Sequence, residues 1–101
     1  MYTVFSTFDV NESKADEVIK IYKNRSRLVD KADGFVDFML LQNDKRKGEL
    51  TVQLIFETKE DYLRWVRSKD FQRIHDLEKK YPDKELAAVI PKVSQYKVVV
   101  K

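Results

Sequence analysis

The stretch FVDFMLLQNDKRKGELTVQLIFE, from Phe35 to Glu57, reads as two strands joined by a polar tip. Phe35 to Gln42 is rich in β-formers and apolar on both faces, with Val36, Phe38 and Leu40 against Phe35, Met39 and Leu41. Asn43 to Gly48 supplies the hairpin loop. Leu50 to Glu57 alternates, with Leu50, Val52, Leu54 and Phe56 on one side and Thr51, Gln53 and Ile55 on the other. A hairpin at the centre of a chain needs covering elements before and after it.

Both are present. Upstream, Tyr2 to Val10 alternates as a strand, with Tyr2, Val4, Ser6, Phe8 and Val10 on one face and Thr3, Phe5 and Thr7 on the other. Asn11 or Ser13 caps a helix whose stripe is Ala15, Val18, Ile19, Tyr22, Val29 and Ala32. That spacing predicts a helix to about Asp33, ended by Gly34 as a left-handed C-cap. Downstream, Thr58 and Asp61 mark a helix start, and Asp61 to Glu78 is helical sequence with a break at Ser68-Lys69-Asp70. Tyr81 to Lys84 opens an irregular connection, and Pro91 precedes a last strand, Val93 to Val100.

The order is β-α-β-β-α-β, which makes residues 1–101 a single α+β domain with a ferredoxin-like, four-stranded antiparallel sheet. Helices cover one face. Strands two and three are too apolar to leave the other face wet, which predicts a homodimer with its sheets packed face to face.

Composition removes several function classes. There is no cysteine, so disulfides, thiolate metal sites and cysteine nucleophiles are excluded, and a single histidine excludes a multi-histidine site. Two prolines and two glycines argue against long disordered stretches. No apolar run approaches a membrane span and no signal-peptide layout is seen, so the expectation is a cytoplasmic protein with no membrane partner. Net charge is +3 from 20 basic and 17 acidic residues, interspersed in sign. Lys45-Arg46-Lys47 is a solvated hairpin tip, and no broad basic face predicts nucleic-acid binding.

The rare residues lie in the second helical region. Trp65 and His75 are the only tryptophan and histidine. On a straight helix they would stand about 80° apart around the axis and about 15 Å apart along it. A bend at Ser68 would bring them closer. His75 reads either as a packed histidine or as an axial iron ligand, and Trp65 as a core residue or a cofactor wall. Arg25 falls on the helix-one stripe, where it either snorkels to water or meets a ligand carboxylate. Asp70, Asp76 and Glu78 read as solvated helix charges.

The element order, the Asp33-Gly34-Phe35 junction and the run from Trp65 through Val66-Arg67-Ser68-Lys69-Asp70-Phe71-Gln72-Arg73-Ile74 to His75 resemble the IsdG-type heme-degrading monooxygenases. These belong to the antibiotic-biosynthesis-monooxygenase superfamily of dimeric α/β barrels. The resemblance implies heme as both cofactor and substrate, opened by O2 with electrons from an external donor and with release of iron. It implies His75 as the iron ligand and Trp65 as the wall that ruffles the porphyrin, while Arg25, from its place on the helix-one stripe, stands as a candidate contact to the ligand.

One family residue departs. An asparagine on the first strand hydrogen-bonds near the bound O2 in such enzymes. Here Ser6 stands in its place, or Thr7 if the register slips by one. A hydroxyl is shorter than an amide and lacks its paired donor and acceptor. Two further readings stand beside this one: a cofactor-free monooxygenase acting on an aromatic small molecule, and a non-catalytic heme-binding dimer. Asp33 to Phe38 faintly resembles an RNA-recognition aromatic signature, but on the wrong strand.

Overall fold

A computed structural model describes residues 1–101. Its elements are β1 (Tyr2–Asp9), α1 (Ala15–Lys23), β2 (Phe35–Gln42), β3 (Glu49–Phe56), α2 (Lys59–Val66), α3 (Lys69–Lys79), α4 (Lys84–Ala87) and β4 (Lys92–Lys97). Short 3-10 turns precede α1 and β2, at Glu12–Lys14 and Leu28–Lys31. The sheet order is β2-β3-β1-β4, antiparallel throughout, as the ferredoxin-like reading requires. No helix is long and apolar enough to cross a membrane.

Register assigns the faces. Ser6 pairs with Val52 and Val93, whereas Thr7 pairs with Thr51 and Lys92. Tyr2, Val4, Leu50, Val52 and Phe56 are buried under the helices, with Leu50 and Phe56 fully enclosed. The main core gathers Tyr2, Val4, Val29, Phe56, Tyr62 and Trp65. Opposite lie Thr3, Phe5, Thr7, Met39, Leu41, Thr51 and Tyr96, where Met39, Leu41 and Tyr96 are exposed. A bulge at Val36 turns Phe35 back to the helix side, where its ring stands edge-on to Phe56 at 6.2 Å. Strict alternation had grouped Phe35 with Met39 and Leu41, which lie on the open face.

Helix one is shorter than its stripe predicted. It stops at Lys23, where the Asn24 N–H bonds to the carbonyls of Ile21 and Tyr22 and its side-chain amide donates to Lys20 O at 2.9 Å. The next helical turn would be Asn24-Arg25-Ser26-Arg27, which offers no apolar face. Arg27 instead adopts φ 59°, a left-handed conformation that reverses the chain. Val29 still reaches the core, but from the Leu28–Lys31 turn. Gly34 has the expected positive φ of 75°, yet it enters β2 rather than capping a helix. A side chain there would run into the Asp61 carboxylate.

Other boundaries differ less. Asn11, not Ser13, is the cap before α1: its Oδ1 accepts from Ser13 N at 3.0 Å. The last strand ends at Lys97 rather than Val100, although Val98 N still donates to Met1 O at 2.9 Å. The connection after Tyr81 contains α4, capped by Asp83. Lys14 Nζ ties that cap to the start of α1, at 2.9 Å from both Asp83 and Glu85.

Candidate functional site

Ser68 makes the bend that the sequence suggested. Its Oγ donates to Trp65 O at 2.6 Å and accepts from Phe71 N at 3.1 Å, so one hydroxyl closes α2 and opens α3. Thr58 caps α2 in the same manner, accepting from Asp61 N at 3.1 Å. Phe71, in the first turn of α3, then stands between the two rare residues. Its ring lies 5.9 Å from Trp65, edge-on, and 4.3 Å from His75.

Trp65 and His75 therefore belong to one aromatic row joined through Phe71. Trp65 is buried in the core cluster. The cleft that reaches it, about 250 Å3, is lined by Leu28, Lys31, Ala32, Asp33, Arg64, Ser68 and Asp70 and does not include His75. His75 is half-buried, and neither ring nitrogen is bonded within the chain or sealed from solvent. Its imidazole is free to take a ligand.

Around His75 the helices α1 and α3 face one another through Glu78 and Tyr22. Glu78 is exposed by area, but crowding partly desolvates its carboxyl and pushes it above the ordinary range, with His75 opposing that shift. Burial, and then the nearby Glu78 charge, push the Tyr22 phenol up to about 12. Glu78 was expected to be a solvated helix charge. Its proximity to Tyr22 on another helix was not visible as a sequence spacing.

The Tyr22 shift predicts alkaline sensitivity. A group whose folded value is raised contributes its full stabilisation below its unfolded value, near ~10 for tyrosine, and loses it as pH rises through the folded value. Stability should fall by roughly 2–3 kcal/mol between about pH 10 and 12. Denaturation midpoints at these two pH values test this in parallel with Tyr22→Phe. An equal loss in the variant would assign the effect to other groups.

An aromatic wall continues from Tyr22. Phe8 lies 6.4 Å from it on β1, and Phe38 lies 6.1 Å from it on β2. The Arg25 guanidinium lies over the Phe38 ring, 3.9 Å from its centroid. Arg25 is beyond the end of α1, not on its stripe, and it does not snorkel: its side chain is 18% exposed and clamped by Asp30. Nη1 donates to Oδ1 at 2.9 Å and Nη2 to Oδ2 at 3.2 Å.

The register puts the two first-strand hydroxyls on opposite faces of the sheet. Thr7 faces outward and shares a 2.9 Å hydrogen bond with Thr51. Ser6 faces the helices, half-buried between Val52 and Val93. Ser6 is thus the hydroxyl on the side where Tyr22 and α3 lie.

These features define an α+β domain with a helix-covered sheet face, a free histidine and an aromatic wall. The family model for antibiotic biosynthesis monooxygenases matches residues 1–77, and the chain belongs to that family. Solved structures agree in fold. The heme-degrader MhuD from Mycobacterium tuberculosis, with two hemes bound in its active site, superposes with a TM-score of 0.79 at 18% identity, covering 100% of this chain and 98% of that one. An antibiotic biosynthesis monooxygenase assigned in Bacillus cereus gives 0.73 at 24% identity, covering 99% and 92%. One from Deinococcus radiodurans gives 0.76 at 11%, covering 100% and 95%. At these identities the likeness establishes the fold. No curated relative matches the chain.

Proposed function

We propose that this chain is a heme-binding, heme-degrading monooxygenase with His75 as the iron ligand. The observation that carries the reading is the free imidazole of His75, half-buried against Phe71 at 4.3 Å with no competing hydrogen bond. The chain offers no group of three His, Cys, Asp or Glu side chains for a bare metal ion. A metal reaching His75 must bring other ligands with it, as porphyrin iron does.

The residues fit heme in part. His75 supplies a donor, the Phe8–Tyr22–Phe38 wall supplies apolar aromatic surface, and Arg25 supplies a cation at its far end. Ser6 offers a hydroxyl on the same face. Phe71 touches both Trp65 and His75, so Trp65 acts as a ruffling wall only for a ligand that extends past that ring. Heme, when bound, is cofactor and substrate together: O2 and external electrons open the macrocycle and iron leaves.

We further propose a homodimer joined through the open sheet face. A self-sufficient monomer of 12.0 kDa exposes about 6,000 Å2, whereas this chain exposes 7367 Å2. The excess exceeds the ~800 Å2 that each partner contributes to a standard interface. Only ten residues are buried, and of these only Leu50 and Phe56 completely, so a lone protomer has a thin core.

The interposition of Phe71 between Trp65 and His75 favours a second reading, a cofactor-free monooxygenase whose aromatic substrate stacks on the Phe8–Tyr22–Phe38 wall. Hemin titration of the purified protein separates the two. The heme reading expects saturable binding with a Soret shift, lost in His75→Ala, and bleaching with iron release when ascorbate is added in air. Binding without bleaching leaves a non-catalytic heme-binding dimer. Absence of specific binding sinks the heme reading and leaves the organic substrate in front.

A further inference from the structure

Arg25, Arg27 and Asp30 form a cluster of two guanidinium groups around one carboxylate. Asp30 uses both oxygens on the Arg25 fork, at 2.9 and 3.2 Å, while Arg27 reaches it only at 3.5 Å. The two arginines differ sharply in exposure, 18% against 68% of the side chain. One face of the Arg25 guanidinium is covered by Phe38. Its fork, the edge suited to bidentate binding of a carboxylate, is already filled.

We propose that Asp30 is a built-in competitor for a ligand carboxylate, which takes the Arg25 fork as Asp30 transfers to Arg27. The identification of the ligand rests on the heme reading above, but the exchange itself follows from the cluster. Arg25 closes the Phe8–Tyr22–Phe38 wall, so a flat ligand lying along that wall brings an acidic substituent to the fork. Asp30 need not become an unpaired charge when it leaves. Arg27 lies three residues earlier, on the same reversal, with an exposed side chain able to close the remaining distance. The cluster carries one net positive charge, so the exchanged state holds two carboxylates on two guanidinium groups and is neutral. An uncharged ligand gains nothing from the exchange. The device therefore selects carboxylate-bearing molecules and places Asp30 as a specificity-determining residue.

The test compares hemin with hemin dimethyl ester, which keeps the ring and iron but blocks both carboxylates. Wild type should bind hemin more tightly than the ester, and Arg25→Ala should erase that difference. Asp30→Asn should strengthen hemin binding by about fivefold or more, the scale of an ordinary coupling between two ligands, and leave the ester unchanged. Arg27→Gln, at an exposed side chain, should weaken hemin alone, and it stands in if Asp30→Asn folds poorly. A merely structural Asp30 would weaken both ligands together, which overturns the exchange. Equal wild-type affinities with His75→Ala losing both would overturn the exchange and keep the heme reading. Failure of both ligands to bind folded wild type would remove the heme reading and this inference with it.

Discussion

Leu41→Glu should convert the protein from a dimer to a monomer. Leu41 is exposed in the protomer, beside Phe5, Thr7, Thr51, Ser94 and Tyr96 in a shallow hollow of the open face. Because it already meets water, the substitution costs the protomer little. In a two-fold symmetric interface every change counts twice. Two carboxylates forced into an apolar contact should cost the dimer about 3 kcal/mol or more, a shift of at least roughly a hundredfold in dissociation constant. Light scattering should give about twice 12.0 kDa for wild type and the single mass for the variant. Lys45→Glu at the hairpin tip, away from the face, should remain dimeric. A wild-type monomer at micromolar concentration would end the face-to-face arrangement.

The same hollow shows why a face-to-face pairing is expected from the sequence alone. Strands β2 and β3 carry apolar side chains at consecutive positions, and a helix layer can cover only one face of a sheet. The surplus is a statement about composition along two short runs, so it survives errors in register. The caps were equally legible because they are local: Thr58 with Asp61, and Ser68 with Phe71, need only their own turn. Helix one failed for the opposite reason. Val29 and Ala32 keep a helical phase from Tyr22, but they reach the core through a reversal at Arg27 that periodicity does not register.

The site divides along the same line. His75 and Trp65 stood out by rarity, and the bend between them by the Ser68 cap. Their relation through Phe71 depends on the angle between α2 and α3, which is set by packing on the sheet rather than by sequence spacing. Asp30 lay hidden because five residues from Arg25 is no helical neighbour; only the turn at Leu28–Lys31 brings the pair together. Tyr22 with Glu78 joins two helices 56 positions apart in sequence terms (78 − 22). Local chemistry was readable; cross-element chemistry required the fold.

Ser6→Asn should raise the rate of heme turnover while leaving hemin affinity near the wild-type value. The position faces the helices between Val52 and Val93, half-buried, so a longer side chain has a direction in which to extend. Serine brings one donor on a short stem, whereas asparagine reaches further with two N–H donors and an acceptor oxygen. Donors fixed near the reacting oxygen act on charge that develops during reaction, so they change rate more than binding. Losing one such donor typically costs a hundredfold or more; improving on an existing hydroxyl should return less, about tenfold. Single-turnover bleaching with ascorbate in air, run beside a hemin titration, reads both quantities. A parallel rise in affinity and rate would mean that the amide simply improves packing. An unchanged rate with intact binding would show that the hydroxyl of Ser6 already suffices, or that this strand does not border the reacting centre. Thr7→Asn is the control for position, since Thr7 bonds Thr51 at 2.9 Å on the opposite face and should leave turnover untouched.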